Sequence, residues 1–200
     1  MENIKLFCVS LGCDKNLVDT EKMLGLLNGQ GIIFTDDETE ADVILINTCC
    51  FIGDAKEESV NTILEMARYK EEGNLKALLV AGCLAQRYKQ EILDEIPEVD
   101  AILGTTSYEE VAKVLEQVLM GSSGIHLSCF RDLSELPQVE ARRVVTTGGH
   151  YAFLKIAEGC DKRCTYCIIP YLRGPYRSVP IEQLVAEAGQ LAEAGVKELI

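Results

Sequence analysis

Three cysteines in the second half of the chain have a spacing that suits a metal centre. Cys160, Cys164 and Cys167 form the pattern C-x3-C-x2-C, which puts three thiolates within one loop. Three protein ligands suit a four-iron cluster with one open iron, because a saturated cluster takes four cysteines. Zinc is the alternative, but it usually takes four ligands from paired C-x2-C knuckles, and His150, the only candidate fourth ligand, precedes the strand before this loop. The pattern therefore favours a cluster whose open iron can bind a small molecule.

Three further cysteines share a position relative to the predicted strands. Cys13, Cys49 and Cys83 each follow an apolar run. In a parallel sheet the carboxyl ends of all strands lie on one edge, where such folds place ligands. Gly12 and Gly82 would let the backbone pass close to a bulky group. The three thiols are therefore predicted to meet at one point.

The other cysteines and the composition limit the class of protein. Cys8 and Cys129 are expected to be small buried hydrophobes, and Cys50 receives no role. The total of nine cysteines is odd and fits disulfides badly. Because we find no signal peptide and no apolar stretch near the roughly 20 residues that cross a bilayer, we expect a cytoplasmic protein without membrane contact. In a reducing compartment, cysteines serve metal ligation or catalysis more often than disulfides.

The charge of the chain bears on its partners. The formal net charge is −13, so this part of the molecule is expected to be a poor generic binder of nucleic acid and to attract a basic partner. Hydrophobic residues make up 48% of the sequence, enough for a buried core. No Ser-His-Asp set or pair of catalytic carboxylates is evident, and with two histidines in the chain ordinary acid–base catalysis by histidine is scarcely available.

Strands and helices alternate along the first part of the sequence. Strands are predicted at Ile4–Ser10, Val43–Asn47, Leu75–Ala81 and Ala101–Leu103, and helices at Leu17–Asn28, Ala55–Lys70, Gln86–Ile96 and from a capping box at Ser107 and Glu110 through Met120. This alternation predicts an α/β fold with a parallel sheet and right-handed crossovers. We expect this amino-terminal domain to span residues 1–121.

A second unit is predicted after a linker at residues 122–148. Tyr151–Ile156 and Val196–Ile200 read as strands, with a helix at Pro180–Ala194 between them. Residues 149–200 therefore look like the first βαβ portion of a larger TIM-like barrel, cut off in mid-strand. We accordingly predict that these 200 residues alone would show no catalytic turnover.

The cysteine motifs resemble those of a known enzyme family. A C-x3-C-x2-C loop after a first barrel strand, with Tyr166 before its last cysteine, is similar to the signature of radical S-adenosyl-L-methionine (SAM) enzymes. Leu11-Gly12-Cys13-Asp14-Lys15-Asn16, then Asn47-Thr48-Cys49 and Gly82-Cys83, resemble the amino-terminal domain of the methylthiotransferases of that superfamily.

The resemblance implies two 4Fe-4S clusters and SAM as cofactors. Cys13, Cys49 and Cys83 would hold an auxiliary cluster, and Cys160, Cys164 and Cys167 the SAM cluster. The resemblance places Tyr166 beside the adenine of SAM and implies no catalytic residue beyond the cluster ligands.

The segment around Cys13 selects a branch of that family. It reads SLGCDKNLVDTE, similar to the SLGCPKNLVDSE of the branch that modifies an aspartate of a small-subunit ribosomal protein, with departures at Asp14 and Thr20. The resemblance implies methylthiolation of the aspartate β-carbon by radical SAM chemistry, a basic ribosomal protein as substrate, and a flavodoxin-like or similar electron donor. One alternative is a tRNA adenosine methylthiotransferase, which would contact nucleic acid. Another is a non-catalytic iron–sulfur electron-transfer module, although carriers generally use four cysteines per cluster.

Polar residues near the cysteines carry weaker expectations. Arg173 and Arg177 lie in a segment that also resembles the family, and we expect them either to touch substrate or SAM or to form a solvated turn. For Asn16, Asp19 and Glu21 we favour helix capping by Asn16 and a charged first turn over a role in ordering the loop of Cys13.

Overall fold

A six-stranded parallel sheet forms the first part of the molecule. The computed structural model describes residues 3–121, 126–139 and 142–200. The strands are β1 (Ile4–Ser10), β2 (Ile32–Phe34), β3 (Val43–Thr48), β4 (Ala77–Gly82), β5 (Ala101–Leu103) and β6 (Leu127–Cys129). They lie in the order β2-β1-β3-β4-β5-β6, and every neighbouring pair is parallel. The predicted α/β class is therefore confirmed.

Helices cover both faces of this sheet. They are α1 (Asp14–Leu27), α2 (Gly53–Ala67), α3 (Tyr69–Glu72), α4 (Cys83–Tyr88), α5 (Gln90–Glu95) and α6 (Val111–Met120). Successive residues of β3 point to opposite faces. Ile44 packs in one core with Ile63 of α2, and Leu45 packs in the other with Met23 of α1. The unbroken apolar runs of β3 and β4 follow from this double burial.

The helix predicted at Gln86–Ile96 is two helices instead of one. It begins earlier, at Cys83, and Lys89 interrupts it with a φ of +43°. A positive φ is uncommon outside glycine, and no glycine or proline marks the break in the sequence. The position of the break between α4 and α5 therefore depends on the local packing.

The predicted capping box at Ser107 does not form. Ser107 is fully buried, and its hydroxyl accepts the backbone N–H of Arg131 at 2.8 Å instead of capping a helix. A short 3-10 turn, Tyr108–Glu110, comes before α6. The contact with Arg131 is distant in sequence, and it displaces the local bond that the motif favours.

The sheet extends past residue 121. Strand β6 comes from the segment that we assigned to the linker, and it pairs with β5 through Leu103 and Cys129. The N–H of Gly104 also donates to the carbonyl of Cys129 at 2.9 Å. This segment therefore contributes an edge strand to the amino-terminal sheet.

The second unit has short strands around one long helix. Its elements are β7 (Tyr151–Ala152), β8 (Ala157–Glu158), α7 (Ile169–Arg173), β9 (Arg177–Ser178), α8 (Ile181–Glu193) and β10 (Glu198–Leu199). β7 and β10 pair in parallel across α8, in agreement with the predicted βαβ order. β8 and β9 pair antiparallel and bring together the two ends of the segment that contains the second set of cysteines and α7. Among the described residues, no helix is both long and apolar enough to cross a membrane.

Candidate metal centres

The first set of cysteines lies at one edge of the six-stranded sheet. Cys13 follows β1, Cys49 follows β3 directly, and Cys83 begins α4 directly after β4. Since β1, β3 and β4 are neighbours and parallel, these three positions lie on the same carboxyl edge. Cys13 is exposed, whereas Cys49 and Cys83 are buried.

Gly12 brings the loop of Cys13 against Cys49. Its φ is +95°, and a β-carbon added there would lie 2.7 Å from Cys49 Cβ and 2.9 Å from Cys49 Sγ. No real β-carbon comes this close, so only glycine lets the loop of Cys13 pack this tightly against Cys49. The close approach brings two thiol donors of the kind that hold an iron–sulfur cluster to the same place.

Asn16 connects the loops of the three cysteines. Its Nδ2 donates to the carbonyl oxygens of Leu11 and Thr48, both at 2.9 Å, and its Oδ1 lies 3.8 Å from the thiol of Cys83. The residue is completely buried. Our expectation that Asn16 caps the helix is therefore wrong, because Asn16 lies inside α1 and its amide bonds to the strand ends instead.

Two further buried side chains position the edge. Asn47 Nδ2 donates to the carbonyl of Asn16 at 2.8 Å. Ser59, on α2, accepts the N–H of Cys49 at 3.0 Å and donates to its carbonyl at 2.8 Å. Nothing in the sequence around Ser59 indicates this contact, whereas Asn47 lies in the Asn-Thr-Cys motif.

Cys50 makes a backbone contact beside the candidate ligands. Burial raises the pKa of the Cys83 thiol, and the nearby Arg173 guanidinium opposes that rise. Burial also raises the pKa of Cys50 to about 12, although Arg87 opposes the rise. The Cys50 thiol donates to the carbonyl of Cys83 at 3.2 Å, so it is bonded to the backbone and Cys50 stays outside the candidate set.

The second set lies in the loop between β8 and α7. The N–H of Cys160 donates to the carbonyl of Gly174 at 3.1 Å, and the N–H of Cys167 donates to the carbonyl of Cys164 at 3.0 Å. Cys164 is exposed, and Cys160 and Cys167 are half-buried. Tyr166 is 89% exposed, so this side of the loop is open to a small molecule.

Neither set is preformed for a single ion. Across residues 3–121, 126–139 and 142–200, no three His, Cys, Asp or Glu side chains converge closely enough to hold one metal ion. The cysteines of each set therefore share a region of the fold and a thiol chemistry that suits a cluster, but their sulfur atoms do not already meet at one point.

A buried group of four charges lies between the two sets. It consists of Asp19, Lys155, Glu158 and Arg173, each at most 9% exposed. Arg173 Nη1 donates to Asp19 at 2.7 Å and to Glu158 at 2.9 Å. Lys155 donates to Glu158 at 2.9 Å and also bonds to Asp19. Two carboxylates and two cations thus form a neutral buried quartet.

The quartet corrects two expectations. Asp19 is part of this ion network and not a solvated charge in a first turn. Arg173 is 2% exposed, which excludes the solvated turn expected for it. Arg177 is half-buried and donates to backbone carbonyls of Arg173 and Pro175, at 3.1 and 2.6 Å. Sequence reasoning missed Lys155 and Glu158, because their burial depends on Asp19, which lies 136 residues from Lys155.

A second ionic group joins α1 to α8. Arg143 bridges Glu21 and Glu187, at 3.0 and 2.9 Å. Lys22 also pairs with Glu187 at 3.0 Å, and the N–H of Thr146 donates to Glu21 at 2.6 Å. The two units are therefore tied together at two places, one of them next to the cysteines.

Comparison with known families agrees with the cysteine pattern. The model of the family described as "Uncharacterized protein family UPF0004" matches residues 5–104, and that of the "Radical SAM superfamily" matches residues 154–200. The boundary between the two matches falls between the two cysteine sets.

Curated relatives match almost the whole chain. The ribosomal protein uS12 methylthiotransferase RimO of Lachnoclostridium phytofermentans is 64% identical over 197 residues, a match that covers 98% of this chain and 44% of that protein. The RimO proteins of Acetivibrio thermocellus and Clostridioides difficile are 52% and 50% identical, with the same coverage. The chain therefore spans less than half the length of these relatives.

Proposed function

We propose that this chain, a member of the UPF0004 family within the radical SAM methylthiotransferases, takes part in methylthiolation of the β-carbon of an aspartate in ribosomal protein uS12. The observation that carries the proposal is the pair of three-thiol sets, one at the ends of three adjacent strands and one in a single loop. The printed names of the relatives and the segment SLGCDKNLVDTE support the ribosomal substrate.

The proposal assigns a cluster to each set. Cys13, Cys49 and Cys83 would hold the auxiliary 4Fe-4S cluster, and Cys160, Cys164 and Cys167 the cluster that binds SAM. When bound, these cofactors supply the one-electron chemistry that an unactivated C–H bond requires. In this proposal residues 1–121 form the amino-terminal domain, residues 122–148 form a linker that adds the edge strand β6 to the sheet of that domain, and residues 149–200 form the start of the radical SAM domain.

The protein's own residues supply placement. Asn16 and Ser59 hold the loops of the first set, so the thiols keep their positions. The exposed Tyr166 is available to stack on the adenine of SAM. A cavity of about 280 Å³ opens between the first turn of α1 and the segment around Phe153, next to Cys13.

The charge of the chain supports the partners. A net charge of −13 favours association with a basic ribosomal protein over contact with nucleic acid. The chemistry also needs an external one-electron donor, for which a flavodoxin-like protein is proposed.

Anaerobic reconstitution tests the two sites. The protein should bind about eight irons per chain, and replacement of Cys13, Cys49 and Cys83 by alanine should leave about four. The matched control replaces Cys8, Cys50 and Cys129, the three cysteines outside both sets, and should keep about eight. Equal iron content in both triple variants would contradict the proposal.

The substrate is tested with reconstituted full-length protein, SAM and dithionite, because we predict that these 200 residues alone would show no turnover. Purified uS12 and tRNA are offered separately, and each is examined by mass spectrometry. The proposal expects the mass of one methylthio group to be added to an aspartate of uS12. Modification of tRNA instead would support the adenosine alternative, and the absence of released 5′-deoxyadenosine would support a simple electron carrier.

A further inference from the structure

Arg173 occupies the boundary between the two cysteine sets. It is the last residue of α7 and is buried, although arginine is seldom found inside a protein unless it is paired. Its Nη1 donates to Asp19 and Glu158, and its Nη2 donates to Asn16 Oδ1. The planar guanidinium therefore reaches acceptors from both units at once.

Arg173 and Gly174, which are adjacent in the chain, link the two cysteine sets. Arg173 reaches the first set through Asn16, whose side chain accepts from Arg173 and lies 3.8 Å from the Cys83 thiol. Gly174 reaches the second set directly, because its carbonyl accepts the N–H of Cys160 at 3.1 Å. A displacement of Arg173 would therefore be felt by both sets.

The positive charge of Arg173 is permanent in this setting. Burial would lower the pKa of its guanidinium, but the attractions of Asp19, Cys83 and Glu158 together outweigh that effect and raise the pKa above its ordinary range. Glu158 accepts from Lys155 and from Arg173, both at 2.9 Å, so its carboxylate is paired with two cations. The amide of Asn16 lies between this guanidinium and the Cys83 thiol.

We propose that Arg173 is a positioning residue that joins the two cysteine sets and holds a positive charge against the thiols of the first. This inference rests on the proposed function, because it takes those thiols to be iron ligands. A fixed positive charge next to a cluster stabilises its reduced form, which carries one more negative charge. Arg173 should therefore raise the reduction potential of the cluster at Cys13, Cys49 and Cys83.

The test measures that potential alone. In the protein with Cys160, Cys164 and Cys167 replaced by alanine, anaerobic reconstitution leaves only the first cluster. Its midpoint potential is then followed by electron paramagnetic resonance during a redox titration. Arg173→Gln should shift the midpoint to more negative values. Arg173→Lys should shift it in the same direction but less, since an ammonium on a flexible stem keeps the charge but cannot span from Glu158 to Asn16.

The matched control removes an exposed arginine of the cysteine loop. Arg163→Gln makes the same change of net charge, but solvent screens that side chain, so the midpoint should not move. If Arg173→Gln takes up no iron, the test is the midpoint potential of Arg173→Lys compared with that of the parent. Equal midpoints in these two proteins overturn the inference. A midpoint unchanged in Arg173→Gln, or shifted equally by Arg163→Gln, also overturns it. A parent that binds no iron at all instead contradicts the proposed function, and the inference with it.

Discussion

A β-carbon at Gly12 would lie 2.7 Å from the β-carbon of Cys49, so the first cysteine loop can pack against the second only through glycine. Gly12→Ala should therefore push Cys49 aside and remove the iron of the first site while the second site keeps its own. Iron per reconstituted chain should fall from about eight to about four. Iron analysis of the purified variant measures this directly.

Gly29→Ala is the matched control for that change. Gly29 has a comparable φ of +79°, but nothing lies within 4 Å of its added β-carbon. The cost of the left-handed backbone, roughly 1–2 kcal/mol, is then common to both variants. An equal loss of iron in Gly29→Ala would show that backbone strain, and not the contact with Cys49, is responsible.

Ser59→Ala should destabilise the fold although Ser59 is not a ligand. The substitution leaves the buried N–H and C=O of Cys49 without their partner, which costs about 1–3 kcal/mol. Urea unfolding at neutral pH measures the loss. Asn61→Ala changes an exposed polar residue on the same helix and should stay within about 0.5 kcal/mol of the parent. Similar losses in the two variants would show that the Ser59 contact adds little.

Asp42 should make the stability of the sheet depend on pH. Burial would raise the pKa of its carboxyl, but the N–H of Lys5 and the ammonium of Lys76, both at 2.9 Å, bring it below its ordinary value. A lowered pKa in the folded state means that the contribution is present above the unfolded pKa of about 3.9 and is lost as the pH falls through the folded value.

Asp42→Asn should therefore lower the free energy of unfolding by about 1.5–3 kcal/mol at pH 7. The loss should become progressively smaller as the pH falls toward the lowered pKa of the folded state. Urea unfolding of parent and variant at both ends of that range measures the difference. Glu65→Gln, which breaks an exposed pair with Arg68, should cost less than about 1 kcal/mol at either end. A cost of Asp42→Asn that does not change with pH would contradict this account.

Much of the fold was predictable from local patterns. The apolar run of β3 indicated a strand covered on both faces, and its burial against α1 and α2 agrees with that. The break at Lys89 and the strand β6 were not predictable, because no turn residue marks the first and only pairing with β5 defines the second.

The residues around the cysteines were predictable to a smaller extent. Cys13, Cys49 and Cys83 could be assigned to one edge because strand ends in a parallel sheet share a side. Asn16, Asp19 and Arg173 were assigned to a cap, a charged turn, and a substrate contact or solvated turn, since those are the uses that local sequence suggests. The structure gives them partners up to 157 residues away instead.

Periodicity and motif spacing are local properties of the chain, and they were enough to indicate the class of fold, the two sets of cysteines and the family. Which charges are buried together follows from tertiary contacts. Asp19, Lys155, Glu158 and Arg173 are unremarkable where they stand in the sequence. They form a quartet because a charge removed from water must find an opposite charge, wherever along the chain that charge lies.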